Sequence, residues 1–108
     1  MEIGSYTVAV FGGPDGVGFG STQRMRTNLK LYSTTGSTAG WIRFVDSGMH
    51  LPADTQDGRG YVTMHLPTAM LAPTIDVLRN EKPLHLKFTG GSGVLKTGPE
   101  EIGEGEAG

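Results

Sequence analysis

The sequence predicts an α+β fold of mainly antiparallel β-structure, arranged as a sandwich or open barrel, with one helix packed on the sheet. Three observations lead to this fold class. Apolar and polar residues alternate in about six short segments, as expected of strands with one buried face. A single segment, residues 68–80, has helical periodicity. Glycine accounts for 18 of the 108 residues, which indicates many turns within one domain.

The strands are short and separated by turn residues. We predict them at Ser5 to Phe11, Arg24 to Tyr32, Trp41 to Val45, Tyr61 to Leu66, Pro83 to Thr89 and Val94 to Thr97. No helical segment connects the first four, so we expect them to pair antiparallel. The glycine-rich residues 90–93 predict a hairpin between the last two strands.

The helix lies between the fourth and fifth strands. Its apolar stripe consists of Met70, Leu71, Ile75, Val77 and Leu78. Thr68 could cap it, but Pro73 would then cost a hydrogen bond, so we expect the helix to start near Ala72 with Pro73 in its first turn. The flanking strands are either parallel neighbours joined by a right-handed crossover or members of two different sheets.

The composition restricts the chemistry and the location of the protein. The chain has no cysteine, which excludes disulfides, a thiolate nucleophile and zinc sites with sulfur ligands. Residues 1–11 lack the features of a signal peptide, and no run reaches the ~20 apolar residues of a membrane span. We therefore expect a cytoplasmic protein without a membrane partner. Hydrophobic residues make up only 36% of the chain, so self-association would supply useful further burial.

Charge is unevenly distributed along the chain. The acidic residues Glu100, Glu101, Glu104 and Glu106 lie near the C-terminus, whereas residues 1–96 hold 9 basic and 7 acidic residues. We expect a globular domain over residues 1–97 and a disordered acidic tail over residues 98–108.

Two long loops have no recognised catalytic motif. Residues 12–22 are rich in glycine, but neither a dinucleotide fingerprint nor a P-loop fits, because the required glycine or lysine is missing and a strand follows. Residues 46–60 form a connection that is long for a compact domain. No G-x-S-x-G motif is present, so we assign no catalytic residue. The two loops could instead bound a pocket for a small ligand.

The three histidines, His50, His65 and His85, are candidate ligand-binding residues. No pair of them has the i, i+4 spacing of ligands on one helix. His65 and His85 are predicted to point away from the core, on strands that could be neighbours. Because isolated surface histidines are common, we predict neither a metal site nor a cofactor.

A basic face is predicted on the second and third strands. It carries Arg24, Arg26 and Lys30 on one strand and Trp41 and Arg43 on the other. Such a face suits a small anionic ligand and is similar in kind to surfaces that bind single-stranded nucleic acid. The excess of two basic residues in the body argues against nucleic acid, and an ordinary solvated sheet face has the same composition.

The segment LRNEKPLHLKF, residues 78–88, together with the ending PEEIGEGE, resembles short bacterial proteins of the mobile gene-cassette kind whose function is unknown. This resemblance covers 19 of the 108 residues and implies no catalytic residue.

We therefore expect a non-catalytic binding or assembly module that forms a homo-oligomer. The alternative is a small-ligand-binding protein or enzyme with a pocket between residues 12–22 and 46–60. A second alternative is a single-stranded nucleic-acid binder that uses Arg24, Arg26, Trp41 and Arg43.

Overall fold

The computed structural model describes residues 1–13, 17–18, 24–48 and 50–97. Within these ranges the chain forms nine strands, a one-turn 3₁₀ helix (Thr68–Met70) and one α-helix, α1 (Leu71–Asn80). The strands are β1 (Glu2–Val10), β2 (Val17–Gly18), β3 (Arg24–Met25), β4 (Thr27–Ser33), β5 (Thr38–Val45), β6 (Thr55–Gln56), β7 (Val62–Pro67), β8 (Leu84–Thr89) and β9 (Ser92–Thr97).

Seven of these strands form one mixed sheet in the order β6–β7–β5–β4–β1–β8–β9, and β2 and β3 form a separate two-stranded sheet. The architecture is α+β, as predicted. The expected antiparallel pairing of the first four predicted strands is wrong at one place, because β5 and β7 are parallel. The connection between them runs back along the sheet with no helix in its described residues, and within it β6 pairs antiparallel with β7. This connection thereby returns the chain to the end of the sheet at which β5 begins.

The strands that flank the helix adopt neither of the two expected arrangements. β7 and β8 belong to the same sheet, but β5, β4 and β1 lie between them in the pairing order. The hairpin predicted at residues 90–93 is present and joins β8 to β9.

The predicted strand from Arg24 to Tyr32 is interrupted at Arg26. The Arg26 N–H donates to the Phe44 carbonyl at 2.7 Å, while the Arg26 carbonyl accepts from the Phe11 N–H at 2.8 Å. In a regular strand both backbone groups of a residue point to the same side. Here they point to different neighbouring strands, so the ladder is broken between β3 and β4.

The core lies on the inner face of the sheet. Strand β4 alternates strictly between buried and half-buried residues, as its pattern predicts. The buried hydrophobic cluster consists of Leu29, Leu31, Ala39, Ile42, Phe44, Val62, Met64 and Leu86. Gly40 allows β5 and β7 to approach closely, because a Cβ atom there would overlap the Val62 carbonyl oxygen.

Helix α1 begins one residue before the predicted position, and Pro73 lies in its first turn as expected. Thr68 does not cap it; the Thr68 hydroxyl instead donates to Asp46 Oδ1 at 2.9 Å. Within α1 only Thr74 is buried, and the apolar residues that face the core are half-buried. The helix therefore covers the sheet loosely.

Strand β1 is paired along its full length on one side only. It pairs with β4 from Ser5 to Val10 but with β8 only at Glu2 and Ile3. The register with β4 shifts at Gly4, where a Cβ atom would lie 2.8 Å from Thr34 Cα. Beyond this bulge, β1 and β8 separate.

In the part of the chain that is described, no helix combines the length and the apolar character needed to cross a membrane. The predicted acidic tail, residues 98–108, lies outside the described residues.

Candidate functional site

The open edge of β1 is the most distinctive surface of the sheet. The Phe11 N–H points toward β4, where it donates to the Arg26 carbonyl. Because backbone direction alternates along a strand, Thr7 and Ala9 also direct their polar groups to β4. Tyr6, Val8 and Val10 direct theirs to the opposite side. Among the described residues, no hydrogen bond satisfies the outward N–H and C=O groups of these three residues.

Two apolar side chains of this edge, Val8 and Val10, are exposed. Tyr6, Val8 and Val10 pair in register with the buried residues Leu31, Leu29 and Thr27, so they lie on the inner face of the sheet. Val8 is nevertheless 42% exposed and Val10 is 65% exposed. No residue from Ser5 to Val10 carries a charge. An uncharged open edge of this kind is what proteins usually avoid, unless a partner covers it.

The C-terminal end of helix α1 approaches this edge. At its start, Thr68 contacts Asp46, which in turn binds Arg26 next to Phe11. Near its end, Leu78 and Tyr6 line a common cavity of about 320 Å³. Leu71 and Ile75 line a larger groove, of about 580 Å³, along the helix. Tyr6 and Leu78 thus bring the β1 edge and the end of the helix to one cavity.

The predicted binding residue Arg26 has a structural role. Its Nη2 and Nε atoms donate to Asp46 Oδ2 at 2.8 and 3.1 Å. Its Nη1 donates to the carbonyls of Phe11 at 2.6 Å and Gly13 at 2.8 Å. Hydrogen bonds from Arg26 and then from Thr68 lower the pKa of the Asp46 carboxyl. This cluster joins the first residues of both long loops at one end of the sheet.

The outer face of β4 and β5 carries the remaining cations of the predicted basic face. These two strands pair so that Lys30 lies opposite Trp41 and Asn28 lies opposite Arg43. The Lys30 ammonium lies 5.3 Å from the centre of the Tyr32 ring and 6.0 Å from that of Trp41. Burial lowers the pKa of Arg43. The backbone of Arg24 pairs with Gly18 in the small sheet, but its side chain lies outside the described structure.

Residues at the start of β7 extend the aromatic part of this face. The Tyr61 ring meets Trp41 edge-on, with ring centres 5.7 Å apart and planes at 77°. The Arg59 guanidinium lies 4.9 Å from the centre of the Tyr61 ring. The outer face therefore combines three aromatic rings with the cations of Lys30, Arg43 and Arg59.

Asp54 joins two strands of the sheet, β7 and β9, that are not neighbours in the pairing order. Its Oδ1 atom accepts from the His65 N–H in β7, and its Oδ2 atom accepts from the Gly93 N–H in β9, each at 2.8 Å. The His65 imidazole lies 3.5 Å from the same carboxylate. Burial lowers the pKa of His65, and the proximity of Asp54 opposes that effect.

The three histidines do not form one site. His65 lies on the outer face, as predicted, but the connection before β7 buries it. His85 lies on β8, opposite Glu2 and Lys96, and His50 is exposed in the long connection. Within the described ranges, no group of three His, Cys, Asp or Glu residues could hold a metal ion.

A further cavity, of about 220 Å³, lies between α1 and the inner face of the sheet. Its lining is apolar except for one threonine: Ile42, Met64, Leu66, Met70, Pro73, Thr74, Val77 and Leu95. The Thr74 hydroxyl already donates to the Met70 carbonyl at 2.7 Å. This cavity borders the helix rather than the two long loops between which a pocket was predicted.

Several residues of these surfaces were missed at the level of sequence. Asp54 is one of several acidic residues in an irregular segment, and only the fold brings Gly93 to it. The sequence predicted a strand at Ser5 to Phe11 but not the open edge of β1. The exposure of Val8 and Val10 depends on the separation of β8 from β1 at Gly4, for which the local sequence has no signal beyond the glycine.

Comparison with known proteins finds no matching protein family, no similar curated protein and no similar solved structure.

Proposed function

We propose that the protein is a non-catalytic assembly module that forms a homo-oligomer through the open edge of β1. One observation carries this proposal: six consecutive uncharged residues, Ser5 to Val10, form a strand edge without a partner among the described residues. Strand edges normally carry charges, prolines or a covering segment that prevent pairing with another chain. This edge has none of these within the described part of the chain.

The energetic gain from covering the edge supports the same proposal. Val8 and Val10 are already partly covered, so completing their burial would contribute about 1 kcal/mol for each side chain in each copy. The outward backbone groups would exchange water for partners in a second strand, with a net gain of about 1 kcal/mol per hydrogen bond. These contributions add up over two copies and suit a dimer of moderate affinity.

The proposal includes the finer description of the sheet as an open barrel. The Asp54 carboxylate links β7 to β9 near one end of the pairing order, and the Met64 side chain packs directly on Gly93. These contacts support a sheet that curls until its two ends meet. The edge of β1 beyond Gly4 would then be the gap in the barrel wall. A cytoplasmic location accompanies this proposal as a prediction from the cysteine-free composition.

Sedimentation equilibrium of the 11.4 kDa chain tests the proposal. We expect the unmodified protein to dimerise at micromolar concentration and Val8→Glu to be monomeric, because association through this edge would bury the charged carboxylate. Val94→Glu is the matched control, since Val94 is an exposed valine (37%) on β9. A monomeric unmodified protein, or equal loss of association in both variants, would contradict the proposal.

A second candidate function is the binding of a small anionic ligand on the outer face. The observation that favours it is the position of Lys30, which lies beside two aromatic rings and has no carboxylate within 4.0 Å among the described residues. A ligand with a planar ring and a phosphate group would suit this combination of rings and cation.

Fluorescence tests this second candidate, because Trp41 is the only tryptophan of the chain. We expect adenosine monophosphate to quench Trp41 with saturation, and Lys30→Ala to weaken that binding at least tenfold. Lys87→Ala, on β8, is the control. Absence of saturable quenching in the unmodified protein would exclude this ligand class.

A further inference from the structure

We infer that two copies of the chain pair antiparallel through β1, about a two-fold axis that passes beside Val8. This inference rests on the proposed function and adds to it the partner, a second copy of the same strand, and the register. The result would be one continuous sheet that crosses the interface between the two copies.

The direction of the backbone groups selects the register. Tyr6, Val8 and Val10 are the residues whose N–H and C=O groups point to the open side. An axis at Val8 places each Val8 opposite the partner's Val8 and each Tyr6 opposite the partner's Val10. Each of these three residues then pairs with one of the same three residues in the partner subunit. An axis at Thr7 would place Val10 opposite the partner's Gly4, at the bulge. An axis at Ala9 would place Tyr6 opposite the partner's Gly12, beyond the end of the strand.

The charge distribution identifies this edge as the one suited to self-pairing. A two-fold axis brings each residue close to its own copy, so any charge at the interface meets a like charge. Ser5 to Val10 is uncharged, whereas β9 carries Lys96. The short strand β6 is followed directly by Asp57. Among the strand edges that the structure describes, β1 therefore has the least electrostatic cost of pairing with itself.

The side chains reinforce the same arrangement. Tyr6, Val8 and Val10 all lie on the inner face, and antiparallel pairing would place the two Val8 Cα atoms about 5.5 Å apart. Each Val10 would lie beside Tyr6 of the partner subunit, above the cavity that Tyr6 shares with Leu78. The exposed apolar surface of both copies would become one covered strip.

Disulfide trapping tests the register, since the chain has no cysteine of its own. We expect Val8→Cys to form a disulfide-linked dimer under mild oxidation, because a separation of about 5.5 Å lies within the range that a disulfide spans. Val10→Cys is the matched control on the same strand and face. Its two copies would be separated by four residues, about 14 Å along the strand, so it should stay monomeric after denaturation.

Val10→Cys is a stringent control, because Val10 is more exposed than Val8 (65% against 42%) and random collision would favour linkage at position 10.

Selective linkage at position 8 supports the inference, and circular dichroism of both variants checks that they remain folded. Preferential or equal linkage at position 10 would overturn the register. If the unmodified protein dimerises, Val8→Glu prevents dimerisation and neither cysteine links, the copies associate at β1 in another register and only this inference fails. If the protein is monomeric, the proposed function fails with it.

Discussion

Asp54 illustrates how a single side chain can replace a missing strand pairing. Its two carboxylate oxygens each accept a backbone N–H, one from β7 and one from β9. Among the described residues, no neighbouring strand supplies an acceptor for either N–H group. The side chain is only 15% exposed, so water could not readily take its place. Asp54 therefore holds together two parts of the sheet that are distant in sequence.

We expect Asp54→Ala to lower the free energy of unfolding by roughly 3 kcal/mol, because two N–H groups would lose a charged acceptor in a partly buried site. Asp57→Ala is a matched control. Asp57 also accepts two backbone N–H groups, from Arg59 and Tyr61, but it is 44% exposed. Its loss should cost about 1 kcal/mol or less, since water replaces the carboxylate. Urea unfolding of both variants measures the difference, and equal losses would refute this role of Asp54.

His65 makes stability depend on pH. Burial lowers the pKa of its imidazole in the folded protein, with Arg43 adding to this effect and Asp54 opposing it. The unfolded chain therefore takes up a proton near pH 6.5, whereas the folded chain does so only at lower pH. Protonation thus favours the unfolded state as the pH falls below about 6.5.

We expect the free energy of unfolding to decrease from pH 7.5 to pH 5.5, and His65→Asn to remove most of that decrease. His50→Asn, at an exposed position in the long connection, should retain it. Urea titrations at the two pH values provide the measurement. A decrease of the same size in His65→Asn would show that another group is responsible. The hydrogen-bonded Asp46 acts in a different range. Its lowered pKa stabilises the folded state above the ordinary pKa of a carboxyl, and this contribution is lost only as the pH falls below that value.

At the scale of elements, local patterns predicted the strands but not their neighbours. The alternation of Leu29 and Leu31 with polar residues follows directly from a strand with one buried face, and β4 has that structure. The parallel pairing of β5 with β7 depends on how the 16-residue connection between them folds back. The connection is rich in Gly, Asp and Pro, and this composition is compatible with either parallel or antiparallel pairing of β5 with β7. The position of α1 was predictable because Pro73 restricts where the helix can begin.

Two glycines lie where strands approach each other closely, and replacing each by alanine should destabilise the protein to a different extent. A Cβ atom at Gly40 would overlap the backbone carbonyl of Val62, whereas one at Gly93 would overlap the flexible side chain of Met64. We expect Gly40→Ala to lower the free energy of unfolding by about 3 kcal/mol, because the paired backbone of Val62 cannot move aside. Gly93→Ala should lower it by about 1 kcal/mol, because the thioether side chain of Met64 can move. Thermal unfolding of both variants ranks them, and a larger loss at Gly93 would contradict the close pairing of β5 and β7.

At the scale of the whole molecule, the candidate surfaces depend on contacts between residues that are distant in sequence. The outer face of Lys30, Trp41 and Arg43 could be predicted, because two adjacent alternating strands usually pair. The role of Arg26 could not, since its partners Phe11 and Asp46 lie 15 and 20 residues away. The open edge of β1 arises in the same way, from the limited pairing of β8 with β1.

Amide hydrogen exchange of the unmodified protein at low and high micromolar concentration tests the association surface most directly. The strand has an internal control, because Thr7 and Ala9 direct their N–H groups to β4 and should be protected at both concentrations. The account predicts that the amides of Tyr6, Val8 and Val10 exchange rapidly at low concentration and become protected as the concentration rises. Rapid exchange of these three amides at both concentrations would contradict it.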